Sequence, residues 1–401
     1  MQALSNVRTL VTGGTGFVGL RTVSKLLSDT PTKQIGLAIR ADSQKAAKAR
    51  LMKLTLQHPG LGIQDHLDRI EIIPYNGANI PTREYDALLN LASDTAWTKP
   101  LDEMLQANCA PLEEAITGKT VPKHVVHCST AYARPLEFVS EDTIAKEESF
   151  PEGSSFFSPY AQSKYQCERM IESNAGATDT CYSIVRPSTV GASVGVDSMP
   201  RGWTTDMKGL AGAMYLASQG MTRAPVEPKF DSNVLPVDHV ANTLIASLLE
   251  NVVRNSPTLE YIHAAPGDEV GLSWGDAFKR INPSLPLVED AEPTAPFFPG
   301  NAKLDAAGKI LYTVAGRPFR FQATKQDTLL KPLLTDAEQK TFCMKWGPED
   351  NLSTYFQDAT TEVQKKLAER AAAKKQSKKE SVRVAVSCKR TKAQVSTSLS
   401  Q

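Results

Sequence analysis

The sequence predicts an α/β fold built on a doubly wound, mostly parallel sheet, with a smaller lobe and a C-terminal helical segment. Short apolar stretches alternate with stretches of helical periodicity through the first half of the chain. A glycine-rich turn at 12–19 joins the first such pair. The chain of 401 residues exceeds one average domain. We therefore expect a sheet domain over 1–254, a substrate-side and helical region over 255–373, and a tail over 374–401.

The composition is that of a globular protein. Hydrophobic residues make up 41% and charged residues 22% of the chain, which argues against a disordered or fibrous class. The residues after Met1 show no charged segment followed by an apolar one, so we expect no signal sequence, and no apolar run is long enough to cross a bilayer. We therefore expect a cytoplasmic protein and leave peripheral membrane contact open. The six cysteines include no C-x-x-C pair, so neither disulfides nor a metal site are expected.

The tail over 374–401 is strongly basic, with eight lysines and arginines against one glutamate. It has no aromatic residue, so it can bury little apolar area. We expect it to be solvated and disordered, with contact to an acidic membrane surface as the alternative. We predict no nucleic-acid function from it.

The glycine-rich turn predicts a dinucleotide site in a Rossmann fold. Gly13, Gly16 and Gly19 stand three residues apart, a spacing that permits a tight turn, close approach to a pyrophosphate and packing of the helix on the sheet. The N–H groups at the start of the following helix favour an anion there. The predicted cofactor contacts in this turn are Gly13, Thr15, Gly16, Phe17, Val18 and Gly19.

The end of the second predicted strand indicates which cofactor is bound. This strand covers 34–40, and a helix is predicted over 42–56. An arginine at the strand end suits the 2′-phosphate of NADP, whereas an acidic residue suits the 2′-hydroxyl of NAD. Arg40 stands at this position and favours NADPH, with Arg50 as a second phosphate contact, although nearby Asp42 leaves NAD as the alternative.

Further strands extend the sheet and bring the site residues to one edge. They are predicted over 70–73, 86–92, 122–128 and 181–185. Ligands of such sheets bind beyond the carboxyl ends of the strands. Gly13, Arg40, Ala92, Thr130 and Pro187 are all expected at that edge.

The predicted chemistry lies with Tyr160 and Lys164, which are four residues apart on one helix face. A lysine ammonium favours the phenolate form, so we expect Lys164 to lower the pKa of Tyr160 and make it a usable proton donor or acceptor. A hydroxyl from the preceding Ser-Thr pair would hold the substrate oxygen. Thr130 is the preferred member of that pair, and Ser129 is the alternative.

These residues resemble the extended short-chain dehydrogenase/reductases, which share the T-G-x-x-G-x-x-G turn and the Ser/Thr-Tyr-Lys triad. The closer likeness is to the fatty acyl-CoA reductases and thioester reductases. It is carried by the stretches 127–132, 185–193, 200–203 and 235–242, with later signposts at 272–275 and 351–356. The likeness covers residues 1–373.

The resemblance implies NADPH-dependent reduction of a fatty acyl-CoA or other acyl thioester to an aldehyde or alcohol. Thr130, Tyr160 and Lys164 would be catalytic, with Lys164 also on the nicotinamide ribose. Pro187 would lie at the nicotinamide amide. The chain departs from the family pattern at 77–78, where Gly-Ala replaces Gly-Asp, and at 202–209, which lacks the family's Asp-Asn and Gly-Pro.

Other functions remain open from the sequence alone. The scaffold also suits a nucleotide-sugar epimerase or a steroid dehydrogenase, and a binding protein that senses NADP without catalysis is a third reading. Apolar residues at helical spacing more often belong to the core than to a substrate channel. The residues that could line an acyl channel are Trp203, Met207, Leu210, Met214, Tyr215, Leu216 and Met221. Asp238 is expected to cap the helix that it opens. The oligomeric state does not follow from these patterns.

Overall fold

The computed structural model describes residues 1–77, 80–82, 84–195, 199–205, 209–267, 272–287, 295–346 and 351–372. The predicted tail at 374–401 lies outside these ranges. The strands are β1 (Thr9–Thr12), β2 (Ile35–Arg40), β3 (Ile70–Tyr75), β4 (Ala87–Asn90), β5 (His124–Cys128), β6 (Cys181–Pro187), β7 (Thr189–Gly191), β8 (Val234–Pro236) and β9 (Thr258–Ala264).

The helices alternate with the strands through the first half of the chain and dominate the second. They are α1 (Phe17–Ser28), α2 (Gln44–Gln57), α3 (Leu101–Asn108), α4 (Ala110–Thr117), α5 (Pro159–Ala175), α6 (Gly209–Ala217), α7 (Val237–Arg254), α8 (Trp274–Ile281), α9 (Ala302–Ala315), α10 (Asp336–Thr341) and α11 (352–372).

Seven strands form one parallel sheet in the order β3-β2-β1-β4-β5-β6-β9. The order reverses between β1 and β4, as it does in Rossmann folds. The predicted doubly wound parallel sheet is confirmed. β7 and β8 pair separately, also in parallel.

Helices cover both faces of the sheet, which explains why its strands are apolar runs. On one face, Val11 belongs to a core shared with Val23 of α1 and Leu244 of α7. On the other face, Leu10 belongs to a core shared with Ile171 of α5. Successive residues of one strand therefore anchor opposite layers.

A second lobe lies beside the sheet and has its own core. Its helices α6, α8, α9 and α11 contribute Leu210, Phe278, Leu311 and Phe356 to one apolar cluster. The lobe and the sheet each use residues on both sides of position 254, where we placed the boundary. The reason is that α6 leaves for the lobe before this point, whereas the chain returns to the sheet afterwards as β9.

Within the described ranges, no helix has the length and apolar character needed to cross a membrane.

Candidate active site

A cavity of about 660 Å³ lies at the carboxyl ends of β1, β4, β5 and β6. This edge includes the point between β1 and β4 where the strand order reverses, which is where such folds bind their ligands. The predicted site residues that line the cavity are Gly13, Gly16, Phe17, Val18, Gly19, Thr130, Tyr160, Lys164 and Pro187. Thr15, Arg40, Arg50 and Ala92 are not among its lining residues.

The glycine turn passes very close to neighbouring backbone. Gly13 has a φ of +67°, and a Cβ there would lie 2.4 Å from the backbone nitrogen of Ala92. A Cβ on Gly19 would lie 2.1 Å from the carbonyl oxygen of Gly13. Only glycine fits at either position. The backbone of Ala92 thus lies against the glycine turn, beside the cavity.

The start of α1 is open to an anion. Gly16 is the N-cap and has no side chain to satisfy the first N–H groups, and the first turn has no acidic residue. Gly16, Phe17, Val18 and Gly19 line the cavity at this helix end. Free N–H groups and a narrow glycine turn facing one cavity fit the pyrophosphate of an NAD(P) cofactor.

The guanidinium groups of Arg40 and Arg50 both act on Tyr75, at the ends of β2 and β3. Arg40 hydrogen-bonds the hydroxyl of Tyr75, and burial raises the pKa of that hydroxyl while Arg40 and Arg50 oppose the rise. Arg50 donates a 3.2 Å hydrogen bond to the carbonyl oxygen of Arg40. A Cβ on Gly77 would lie 2.8 Å from Nε of Arg40, so this glycine makes room for the arginine. The arrangement concentrates positive charge where the adenosine ribose is read in this fold.

Tyr160 and Lys164 both face the cavity from the first turns of α5. The hydroxyl of Ser158 caps this helix by accepting a 3.2 Å hydrogen bond from the Ala161 nitrogen. Nζ of the buried Lys164 donates a 2.7 Å hydrogen bond to the carbonyl oxygen of Cys128 at the end of β5. The capped helix start and this bond fix both side chains at the cavity wall.

The expected lowering of the Tyr160 pKa by Lys164 is wrong for this structure. Burial in the low-dielectric wall raises the pKa of Tyr160, and the nearby sulfurs of Cys128 and Cys167 raise it further. The ammonium of Lys164 is directed at a carbonyl oxygen instead of the phenol. Tyr160 therefore keeps its proton at neutral pH, as a proton donor must.

The two hydroxyls of the Ser-Thr pair have different partners. Oγ of Ser129 donates to Oε1 of Glu168 at 2.5 Å. Among the residues that the structure describes, the contacts of Thr130 Oγ1 are long: it donates to the Pro187 carbonyl at 3.4 Å and accepts from the Tyr132 nitrogen at 3.4 Å. A substrate oxygen can therefore bind the hydroxyl of Thr130 with a smaller loss of existing hydrogen bonds than it would cause at Ser129.

A buried polar network that the sequence reasoning missed ties three strand ends together. Oγ1 of Thr12 donates to Oδ1 of Asn90 at 2.7 Å and accepts from the Ala92 nitrogen at 3.2 Å. Nδ2 of Asn90 lies 3.1 Å from Nδ1 of His127. Burial lowers the pKa of His127 well below its usual value, and the Lys164 ammonium lowers it further. Polar residues at matching ends of adjacent predicted strands were the available signal.

Asp238 is not a helix cap, which corrects the expectation. Pro236 is the N-cap of α7. The buried carboxylate of Asp238 instead pairs with Nε of Arg21 on α1 at 2.6 Å and accepts from the Val194 nitrogen at 2.9 Å. It holds the segment after β7 against α1.

The second lobe supplies the far wall of the cavity. Of the seven candidate channel residues, Tyr215 and Leu216 line it. Met207 lies outside the described residues. The remaining four residues are buried in apolar cores: Trp203, Leu210, Met214 and Met221.

Comparisons with known proteins agree with this geometry. The NAD-binding family described as male sterility protein matches residues 11–244. Mouse (Mus musculus) fatty acyl-CoA reductase 2 is 22% identical over 311 residues, which cover 67% of this chain and 60% of that protein. The hybrid PKS-NRPS synthetase pydA of an Acremonium species is 28% identical over 197 residues, or 47% of this chain and 4% of that protein.

A solved structure shares the fold. The terminal R domain from the myxalamid PKS-NRPS biosynthetic pathway superposes with a TM-score of 0.66 at 17% identity, covering 91% of each chain. Our chain spans less than two thirds of the length of both sequence relatives. The family match covers more than half of the chain. The chain therefore belongs to the NAD-binding male sterility protein family.

Proposed function

We propose that this protein uses NADPH to reduce a fatty acyl-CoA or a similar acyl thioester. One thioester, one NADPH and one proton give one aldehyde, one free thiol and NADP⁺. The observation that carries the proposal is the continuity of the cavity. It joins the glycine turn to Tyr160, Lys164 and Thr130, and then continues between two apolar helices of the second lobe.

The chain's own residues have separate tasks in this reaction. When bound, NADPH supplies the hydride that is added to the carbonyl carbon. Tyr160, which is protonated at neutral pH, donates its proton to the carbonyl oxygen. Thr130 donates a hydrogen bond to the same oxygen as negative charge develops, and preorganised donors of this kind are often the largest catalytic contribution.

Lys164 orders the catalytic wall and binds the cofactor. Its ammonium is fixed by the Cys128 carbonyl at 2.7 Å and is assigned to the nicotinamide ribose hydroxyls. Pro187 closes the wall on the nicotinamide side. Once the carbonyl oxygen is protonated, the resulting hemithioacetal loses its thiol and leaves the aldehyde, and a second hydride would give the alcohol.

The preference for NADPH over NADH is assigned to Arg40. Its guanidinium stands at the end of β2, and that of Arg50 also acts on Tyr75. Two cations there suit a phosphate with two negative charges. Asp42 is exposed in the next turn, so NADH is the competing cofactor.

The decisive experiment supplies NADPH with separate panels of acyl-CoAs, nucleotide sugars and steroids. Loss of NADPH absorbance with acyl-CoA, together with release of free thiol, supports the proposal. Oxidation of one NADPH per thiol indicates an aldehyde product, and two indicate an alcohol. Oxidation of NADPH only with a ketosteroid would favour a steroid dehydrogenase. Conversion of a nucleotide sugar to its epimer, followed by chromatography because it consumes no NADPH, would favour an epimerase. Tight NADPH binding without turnover of any panel member would favour a sensor.

A further inference from the structure

We infer that the cavity contains an apolar slot between α6 and α9 that accepts a straight alkyl chain and disfavours a peptidyl chain, and that Gly212 and Ala307 set the length it accepts. The inference rests on the function proposed above. It concerns a choice that the relatives leave open, since one relative is named for a fatty acyl-CoA and the other for a nonribosomal peptide synthetase.

Each helix presents one continuous stripe to the cavity. The lining residues of α6 along this stripe are Gly209, Gly212, Ala213 and Leu216, and Tyr215 lines the cavity beside them. Those of α9 are Ala307, Ile310, Leu311 and Val314. Both sets follow the spacing i, i+3, i+4, i+7, which places them on one face of their helix. Two apolar faces therefore border the same space.

The two helices run in opposite directions along the slot. α6 begins beside β7, since a Cβ on Gly209 would lie 2.6 Å from the Val190 carbonyl oxygen. Val314, late in α9, shares a cluster with Tyr132, whose hydroxyl lies 2.6 Å from Oγ1 of Thr189. Both Tyr132 and Thr189 are close in sequence to Thr130 or Pro187, so this is the catalytic end of the slot.

The far end of the slot follows from these directions. Leu216 and Ala307 lie there, because α6 runs away from β7 and α9 runs towards it. Leu216 lies seven positions after Gly209 on the helix, which corresponds to about 10 Å along the axis. A substrate with its carbonyl near Tyr160 therefore extends its chain past Gly212 towards Ala307.

The chemistry of the stripes selects the chain. Their eight residues carry no polar side-chain atom. A methylene chain loses nothing by leaving water there and gains from burial. A peptidyl chain would bring several amide N–H and C=O groups into this region, where Tyr215 is the one described cavity-lining residue of α6 and α9 with a polar side-chain atom. Most of these amide groups would lose their hydrogen bonds to water without replacement, which disfavours the peptidyl chain.

Two small residues keep the slot open. Gly212 lies within α6, and a glycine inside a helix is less stable than an alanine there. We infer that Gly212 is present because the absence of a side chain leaves space for the substrate. Ala307 lines the far end from α9. Its neighbour Ala306 is exposed. A substitution at 306 therefore changes the outer surface, whereas the same substitution at 307 changes the slot.

The test compares Gly212→Leu and Ala307→Leu with the control Ala306→Leu. We would measure kcat/KM with NADPH for palmitoyl-CoA, hexanoyl-CoA and the CoA thioester of an N-acetyl dipeptide of similar length to hexanoyl. The ratio of palmitoyl to hexanoyl activity should fall roughly tenfold or more in both slot variants, since single methylene groups change selectivity by about that factor. It should stay unchanged in Ala306→Leu. The wild-type enzyme should prefer hexanoyl-CoA to the dipeptidyl thioester at least tenfold.

An unchanged chain-length ratio in both slot variants would overturn the inference, as would equal use of the dipeptidyl thioester. Unchanged turnover of palmitoyl-CoA and hexanoyl-CoA by Ala306→Leu shows that a leucine on α9 outside the slot leaves the reductase intact. Absence of thioester reduction by the wild-type protein would instead count against the proposed function. Calorimetric binding of a non-reducible palmitoyl thioether of CoA is a second readout, which Ala307→Leu must weaken and Ala306→Leu must not.

Discussion

The hydroxyl of Ser129 donates a 2.5 Å hydrogen bond to the carboxylate of Glu168. The other oxygen of this carboxylate accepts from Nη2 of Arg186 at 2.7 Å, and all three side chains are buried. Ser129 is thus part of a buried charged group that joins β5, α5 and β6. Its neighbour Thr130 is left as the hydroxyl with weak contacts at the cavity.

Removal of each hydroxyl in turn tests these separate roles of Ser129 and Thr130. Thr130→Val should lower kcat by roughly 10²–10³ with little change in NADPH affinity, because it removes a donor used only for the substrate oxygen. Ser129→Ala should keep most of the activity and lower the free energy of unfolding by about 1–3 kcal/mol, since Glu168 loses a buried partner. Steady-state kinetics and urea unfolding give both results. If Ser129→Ala abolished turnover while Thr130→Val did not, the assignment would be reversed.

Arg40→Glu should weaken NADPH binding by about 1.5–3 kcal/mol through loss of a charge-assisted phosphate contact, and leave NADH nearly unaffected. Calorimetric titration with both cofactors measures this. Lys53→Glu makes the same charge change at an exposed position of α2 and is the matched control. Equal weakening for NADPH and NADH would mean that Arg40 supports the local structure, for example through Tyr75, and does not read the phosphate.

The sheet and the glycine turn were predictable because their signals are local. β9 was not, since Thr258–Ala264 contains Glu260 and His263, which break the apolar run. Glu260 pairs with Arg254, six residues earlier, at 3.4 Å and with Nζ of the distant Lys325 at 2.7 Å. The nitrogen of His263 likewise donates to the buried Glu147 at 2.9 Å. Sequence patterns do not contain such pairings.

The site was predictable to a similar degree. The spacing of Tyr160 and Lys164 placed them on one face, but not the direction of the ammonium, which the Cys128 carbonyl decides. Asp238 stands where a helix cap is common, yet Arg21 on a distant helix takes its carboxylate. The stripe of α9 reads as ordinary core in sequence, and only the packing reveals that it borders a cavity.

His263 should make stability depend on pH. Burial lowers its pKa from 6.5 to about 3, and the Arg186 charge adds to the effect. Above pH 6.5 the ring is neutral in the folded and unfolded chain alike. As the pH falls towards 3, only the unfolded chain takes up the proton, so the free energy of unfolding falls by about 1.4 kcal/mol per pH unit.

His263→Asn removes this titration and keeps a donor for the Gln322 carbonyl, which lies 2.6 Å from Nδ1 of the histidine. Between pH 7.5 and pH 5.0 the variant should lose about 2 kcal/mol less stability than the wild-type protein. Urea unfolding at the two pH values measures the difference. Parallel losses in both proteins would show that His263 takes up its proton in the folded state as readily as in the unfolded chain.

Lys164→Met should reduce both NADPH affinity and turnover, since one ammonium is assigned to the ribose and to the order of the catalytic wall. The loss in kcat/KM should therefore exceed the loss in cofactor affinity alone. Fluorescence titration of NADPH and kinetics on hexanoyl-CoA separate the two. A variant with unchanged NADPH affinity would restrict Lys164 to its bond with the Cys128 carbonyl.

The most direct test of the account follows thiol release from palmitoyl-CoA together with NADPH oxidation, in the wild-type protein and in Tyr160→Phe. The wild-type protein should release thiol in step with NADPH oxidation. Tyr160→Phe should bind NADPH with unchanged affinity and be slower by roughly 10²–10⁴, the usual contribution of a positioned proton donor. Near-wild-type turnover in Tyr160→Phe would contradict the proposed chemistry, because the proton would then come from another group.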